Sequence, residues 1–258
     1  MIEVTFLHGF TQTSSAWDGV IDSLGSGYDY RVPDLPGHGS SDGLGLSTPD
    51  GFVAEAVRLS VRASSPLPEA RVLVGYSMGG RLALNFCLSE PGHWDAVLLI
   101  STGAGIADST LRQERMEADL ALASRIETRG IAAFDQEWNS LPIWKGDPSS
   151  VVEQRSAMLL SQDPAEIAGA LRLSGQGSQP AVWDRLQEIS IPSYVLHGSR
   201  DAAYSEVATR LATELPSCLG ADVLEGGHSL PLENPLAVAE AVRRAADGLS
   251  HRRQRAGL

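Results

Sequence analysis

Short apolar runs recur along the chain, and each stops at a turn-forming residue. Val4–Leu7 ends at His8-Gly9, Tyr30–Val32 at Pro33-Asp34, and Arg71–Val74 at Gly75. Ala96–Ile100 ends at Ser101, Tyr194–Leu196 at His197-Gly198, and Asp222–Leu224 at Glu225 and two glycines. Runs that are apolar throughout suit strands covered on both faces, as in a parallel sheet between helices. Between them Phe52, Val53, Val57 and Val61 recur at helical spacing, and Arg81–Glu90 predicts another helix. The alternation predicts an α/β fold built on a doubly wound, mostly parallel sheet of six strands.

The rhythm fails between about residues 103 and 185, where no strand pattern stands. Met116, Leu120, Ala123 and Ile126, then Val151, Val152, Met158 and Leu159, are spaced for helices. We therefore expect a core of residues 1–102 and 186–258, with residues 103–185 inserted after the fourth strand as a helical lid. Gly175–Pro180 reads as the hinge back to the core.

Charge narrows the function. The 258 residues carry 32 acidic and 20 basic side chains, a formal net charge of −12. A nucleic-acid binder needs a basic stripe that displaces phosphate counterions, and none exists here. The one locally basic stretch, His251–Arg255, reads as a solvated tail. A small anionic substrate stays open, because a few buried arginines can hold one whatever the global charge. Two cysteines, Cys87 and Cys218, make no disulfide framework, and Cys87 lies in an apolar stretch as a buried thiol. The start has no basic n-region, and the longest uncharged apolar stretch, residues 96–107, falls short of the roughly 20 residues a membrane helix needs. The expectation is a cytoplasmic protein without membrane or nucleic-acid partners, a monomer or small homo-oligomer.

The sharpest chemical signal is Gly75-Tyr76-Ser77-Met78-Gly79, between a strand and a helix. A serine in so tight a turn adopts strained angles and needs small residues two before and two after it. The turn lifts the hydroxyl above the strand ends, over a helix N-terminus that favours negative charge. Such a serine needs a histidine, and the histidine an orienting carboxylate. Ligands gather at the carboxyl ends of parallel strands, so the partners should follow later strands. Asp201 and His228 do so, in the order Ser, Asp, His. The other five histidines fit less well, and His8 reads as a brace for the first loop. A developing oxyanion or enolate needs two backbone donors, which Phe10 after the first strand and Met78 after the serine can supply. Asp34–Ser40 reads as a scaffold turn.

Other residues keep two readings. Arg81, one turn past Ser77, could grip a carboxylate or be an ordinary helix arginine. Arg115 and Asp119 are spaced as an i, i+4 surface pair. Trp138 and Trp144 read as lid core aromatics. No metal-ligand spacing, phosphate loop or dinucleotide fingerprint is present, so no cofactor is expected.

Leu7–Phe10, Asp34–Ser40, Gly75–Gly80, Gly198–Asp201 and Gly226–His228 together resemble the α/β-hydrolase superfamily over nearly the whole chain. Within it, Gly75–Arg81, Arg112–Arg115 with Asp119, Ser124–Glu127, Phe134 and Glu137-Trp138 are similar to the 2-succinyl-6-hydroxy-2,4-cyclohexadiene-1-carboxylate synthase family of menaquinone biosynthesis. That resemblance implies a cofactor-free lyase. Ser77 would be the base activated by His228 and Asp201, and the Phe10 and Met78 amides would hold an enolate-like oxygen. Arg81 and Arg115 would bind carboxylates, with Trp138 and Tyr76 completing the substrate site. The chain departs from the family twice. A further lid arginine is replaced by Met158-Leu159-Leu160, leaving Arg155 or Arg172 as substitutes, and a Lys-Phe pair after the acid is replaced by Ala202-Ala203-Tyr204. The rival readings are a serine hydrolase using the same triad and a ligand-binding protein without turnover.

Overall fold

Alternate residues of the inner strands feed two separate cores, which is what a sheet covered on both sides requires. In β4 (Ala96–Ile100), Val97 and Leu99 pack with one cluster while Ala96, Leu98 and Ile100 pack with the other. In the computed structural model, which describes residues 1–43, 45–61 and 67–256, six parallel strands stand in the order β2-β1-β3-β4-β5-β6. The others are β1 (Ile2–Leu7), β2 (Tyr28–Arg31), β3 (Ala70–Tyr76), β5 (Ser193–Gly198) and β6 (Cys218–Leu224). Helices α2 (Pro49–Ser60), α3 (Met78–Ser89) and α8 (Ala202–Glu214) cover one face. Helices α1 (Asp18–Leu24), α9 (Leu230–Glu233) and α10 (Pro235–Ala256) cover the other. The chain direction across the sheet reverses at β1 and β3, so the crevice above their carboxyl ends is where a ligand belongs.

Two strand expectations need correction. The second strand is Tyr28–Arg31, ending before Val32, and the sixth begins at Cys218. β6 is also not covered on both faces. It is an edge strand whose residues alternate in exposure, with Leu219 and Val223 both exposed.

Between β4 and β5 the chain forms α4 (Ser109–Arg129), α5 (Ile131–Asn139), α6 (Ser149–Leu160) and α7 (Pro164–Ser174). Asp108 and Asp163 cap α4 and α7 by accepting from two backbone amides each. These helices share a core of their own around Ala123, Ile126, Phe134, Leu159 and Leu171. Leu120, expected on the packed face of α4, is exposed, because the helix turns Asp119 inward instead. Cys87 is buried as expected, and burial pushes its thiol up to about 12. Residues 251–255, expected as a tail, continue helix α10, and their side chains lie outside the described residues. Among the described residues no helix is long and apolar enough to cross a membrane.

Candidate active site

Ser77 follows β3 with φ 53° and ψ −110°, a left-handed conformation rare for a residue with a side chain. The neighbouring glycines make that turn possible. A Cβ on Gly75 would lie 2.5 Å from the Gly79 carbonyl oxygen, one on Gly79 2.1 Å from that of Leu7, and one on Gly80 2.4 Å from Thr102. The turn is tied down by Ser77 N donating to the Ile100 carbonyl (2.9 Å) and Thr102 Oγ1 donating to the Ser77 carbonyl (2.8 Å).

The three residues expected to meet do meet. His228 donates from Nδ1 to Asp201 Oδ2 at 2.8 Å, which leaves Nε2 as acceptor for the Ser77 hydroxyl at 3.2 Å. Asp201 and His228 are each about 3% exposed. The arrangement can draw the proton from Ser77 and hold it on an imidazole whose positive charge the carboxylate stabilises. The Phe10 and Met78 amides donate to no protein acceptor among the described residues. The loop bearing Phe10 is braced by two buried imidazoles. His8 accepts from Leu35 N and donates to the Gly9 carbonyl, while His38 accepts from Thr11 N and donates to the Pro36 carbonyl. Burial drives both rings down, His8 to about 4 and His38 to about 3, the latter helped by the neighbouring His8. Both therefore stay neutral and keep one nitrogen free to accept. Asp34 anchors the next turn. Burial would raise its carboxyl, but hydrogen bonds from Ser14 and Ser40 outweigh that and hold it low.

A cavity of about 190 Å³ opens over Ser77, bounded by Phe10, Tyr76, Met78, Arg81, Arg115, Trp138 and His228. Every residue expected in the substrate site thus reaches it. Arg81 is not an exposed helix arginine. It is 8% exposed, donating from Nε to Gln179 Oε1 (2.8 Å) and from Nη2 to the Ser174 carbonyl (2.7 Å). Burial lowers its pKa, and among the described residues no carboxylate is close enough to form an ion pair with it. Arg115 fits both readings, pairing with Asp119 at 2.7 Å while lining the cavity. Trp138 packs edge-on against Phe10 and also joins the lid aromatics. Of the two substitutes for the absent lid arginine, neither lines the cavity. Arg172 pairs with Glu127 near the surface, and Arg155 is buried in an ion pair with Asp147.

Sequence reasoning missed several neighbours of His228. Tyr204 stacks on its ring at 4.8 Å and receives a hydrogen bond from Gln176, and Trp144 lies 5.3 Å away. Tyr204 stands three residues past Asp201, one turn along at the same sheet edge, so its approach was legible. Trp144 and Gln176 come from the inserted segment and were not. Arg81, Arg115, Gln176 and Tyr204 also border an adjoining cavity of about 530 Å³. Among the described residues no three His, Cys, Asp or Glu side chains converge as metal ligands.

A family model described as the alpha/beta hydrolase family matches residues 6–241. A putative 2-succinyl-6-hydroxy-2,4-cyclohexadiene-1-carboxylate synthase of Bacillus subtilis is 30% identical over 236 residues, covering 90% of this chain and 85% of that protein. The solved structure of MenH from S. aureus superposes with a TM-score of 0.88 at 28% identity, covering 96% and 94% of the two chains. A thermophilic esterase from Thermogutta terrifontis, solved with malate bound, gives 0.83 at 25% identity, covering 96% and 90%.

Proposed function

The chain belongs to the alpha/beta hydrolase family, and on that premise we propose that it is a lyase of menaquinone biosynthesis, eliminating pyruvate from a cyclohexene-carboxylate intermediate to leave 2-succinyl-6-hydroxy-2,4-cyclohexadiene-1-carboxylate. In this reading Ser77 gives its proton to His228 and takes one from the ring carbon beside the succinyl carbonyl. Asp201 stabilises the imidazolium. The electron pair moves onto the carbonyl oxygen, where the Phe10 and Met78 amides hold the enolate. Its return shifts the ring double bond and breaks the bond to the enolpyruvyl oxygen. That fragment leaves as the enolate of pyruvate and takes up a proton from the imidazolium. Arg81 and Arg115 hold substrate carboxylates, Trp138 and Tyr76 shape the wall, and the reaction takes place in the cytoplasm.

The observation that carries the reading is Arg81, a buried cation without a carboxylate partner, in the same cavity as the Ser77–His228 pair. A guanidinium held from water this way is suited to an anionic ligand. The test is to incubate the pure protein with the pathway intermediate and measure pyruvate. Release well above background is expected, and background release would end the reading.

A second reading, a serine hydrolase of a small carboxylate-bearing ester, is favoured by the likeness to the Thermogutta esterase with its bound malate. There Ser77 would attack as a nucleophile and form an acyl-enzyme. Rapid turnover of p-nitrophenyl acetate with fast fluorophosphonate labelling would favour it over the lyase.

A further inference from the structure

Arg155 does not line the cavity, yet it is 1% exposed and forms hydrogen bonds with groups on three other segments. From α6 its Nη1 donates to Asp147 Oδ2 (2.5 Å) and to Ser229 Oγ (2.9 Å). Its Nε and Nη2 donate to Asn139 Oδ1 at the end of α5 (3.1 and 2.7 Å). The Ser229 hydroxyl in turn donates to Asp147 Oδ2 at 2.9 Å. The guanidinium lies 4.2 Å over the Trp144 ring, which also lies 5.3 Å from the His228 imidazole.

Two routes therefore run from one side chain to one imidazole. One passes through Ser229 to the backbone beside His228, and the other through the face of Trp144 to the ring itself. A buried ion pair is poor evidence of stabilisation, because desolvating two charges offsets much of their attraction. Its better-attested use is to fix one geometry, and the geometry fixed here is the seat of His228 against the inserted helices.

We propose that Arg155, with Asp147, is a positioning residue that braces the His228 loop and its Trp144 wall, so that Nε2 stays aimed at Ser77. The role rests on the reading of His228 as the group that handles the Ser77 proton. It also separates Arg155 from Arg81. One arranges the protein, the other receives the ligand.

The test compares the full-length wild type with Arg155→Met, Arg155→Lys and Ser229→Ala, taking Arg172→Met as a lid arginine away from the network. Pyruvate kinetics and the ring signals of His228 in ligand-free NMR spectra are both recorded. Arg155→Met is expected to lower kcat about 10- to 100-fold with KM within about twofold, the scale on which small misplacements act, and to shift and broaden the His228 signals. Arg155→Lys should recover part of both. Ser229→Ala keeps the lid ion pair but removes its link to the loop, so it should lower kcat several-fold at unchanged melting temperature, which keeps the test open if Arg155→Met does not fold. Arg172→Met should match the wild type. The proposal is overturned if folded Arg155→Met or Ser229→Ala keeps wild-type kcat and unmoved His228 signals. If the wild type itself releases no pyruvate, the lyase reading fails, while the ligand-free spectra still decide the brace.

Discussion

Arg81 on the core side and Arg155 on the inserted side are the two arginines below a tenth exposure among the described residues. Arg155 meets a carboxylate, an amide oxygen, a hydroxyl and an indole face, all in the protein. Arg81 meets an amide oxygen and a carbonyl, and among the described residues no carboxylate lies within ion-pair distance of it. Burying an unpaired charge is expensive, burying a paired one much less so. Evolution of a stable fold alone would not leave Arg81 as it is. The contrast separates a side chain that waits for a ligand from one that is already satisfied.

The two sites should therefore respond oppositely to the same mutation. Arg155→Met strands Asp147 as a buried charge and should cost about 3–5 kcal/mol of stability, with most of it restored in Arg155→Met/Asp147→Leu. Arg81→Met removes an unpaired charge and should leave the melting temperature equal or higher, while kcat/KM falls roughly 100-fold, about 2.7 kcal/mol of lost ligand contact. Urea unfolding and pyruvate kinetics on the four proteins check both. Matching stability losses at the two positions would erase the distinction.

That contrast also marks where sequence reasoning stopped. The elbow was legible because its chemistry is local. Gly75 and Gly79 are forced by backbone contacts within a few residues or across one strand, and Gly80 by the Thr102 side chain after the neighbouring strand. Asp201 and His228 were legible because a parallel sheet brings all its carboxyl ends to one edge. Arg81 was placed one helical turn past the serine, but its burial depends on Ser174 at the end of α7 and on Gln179 in the stretch read only as a hinge, both about a hundred residues away. Arg155 and Trp144 were less legible still. Nothing in a helical period says which helix of an insertion will lie over which loop of the core. The edge strand β6 shows the same limit, since a run as short as Asp222–Leu224 does not say whether a neighbour covers it.

Acid should weaken the core side. His8 and His38 are neutral in the fold, held at about 4 and about 3, whereas an exposed ring titrates near 6.5. As pH falls the unfolded chain takes up protons first. Stability is therefore full above about 6.5 and is lost as pH falls toward 4. Each ring contributes up to about 1.4 kcal/mol per pH unit, so the pair should remove about 2 kcal/mol between pH 6 and 5. Urea midpoints at the two pH values measure it. In His38→Gln the slope should shrink by about half, and an unchanged slope would place the acid sensitivity elsewhere.

The smallest effect draws the line between brace and bystander. Arg172 pairs with Glu127 through two bonds of 2.7 and 2.6 Å, but the two side chains are 32% and 40% exposed. In water-accessible surroundings such a pair contributes at most about 1 kcal/mol, and salt screens it. Arg172→Met should therefore shift the urea midpoint slightly, lose even that shift in molar salt, and leave pyruvate release unchanged. The sign of the salt effect matters, because a buried pair such as Arg155–Asp147 is screened far less. If Arg172→Met instead weakened KM as Arg81→Met does, a substrate carboxylate would be reaching α7. The cavity over Ser77 would then extend beyond the walls that Arg81, Arg115 and Trp138 give it.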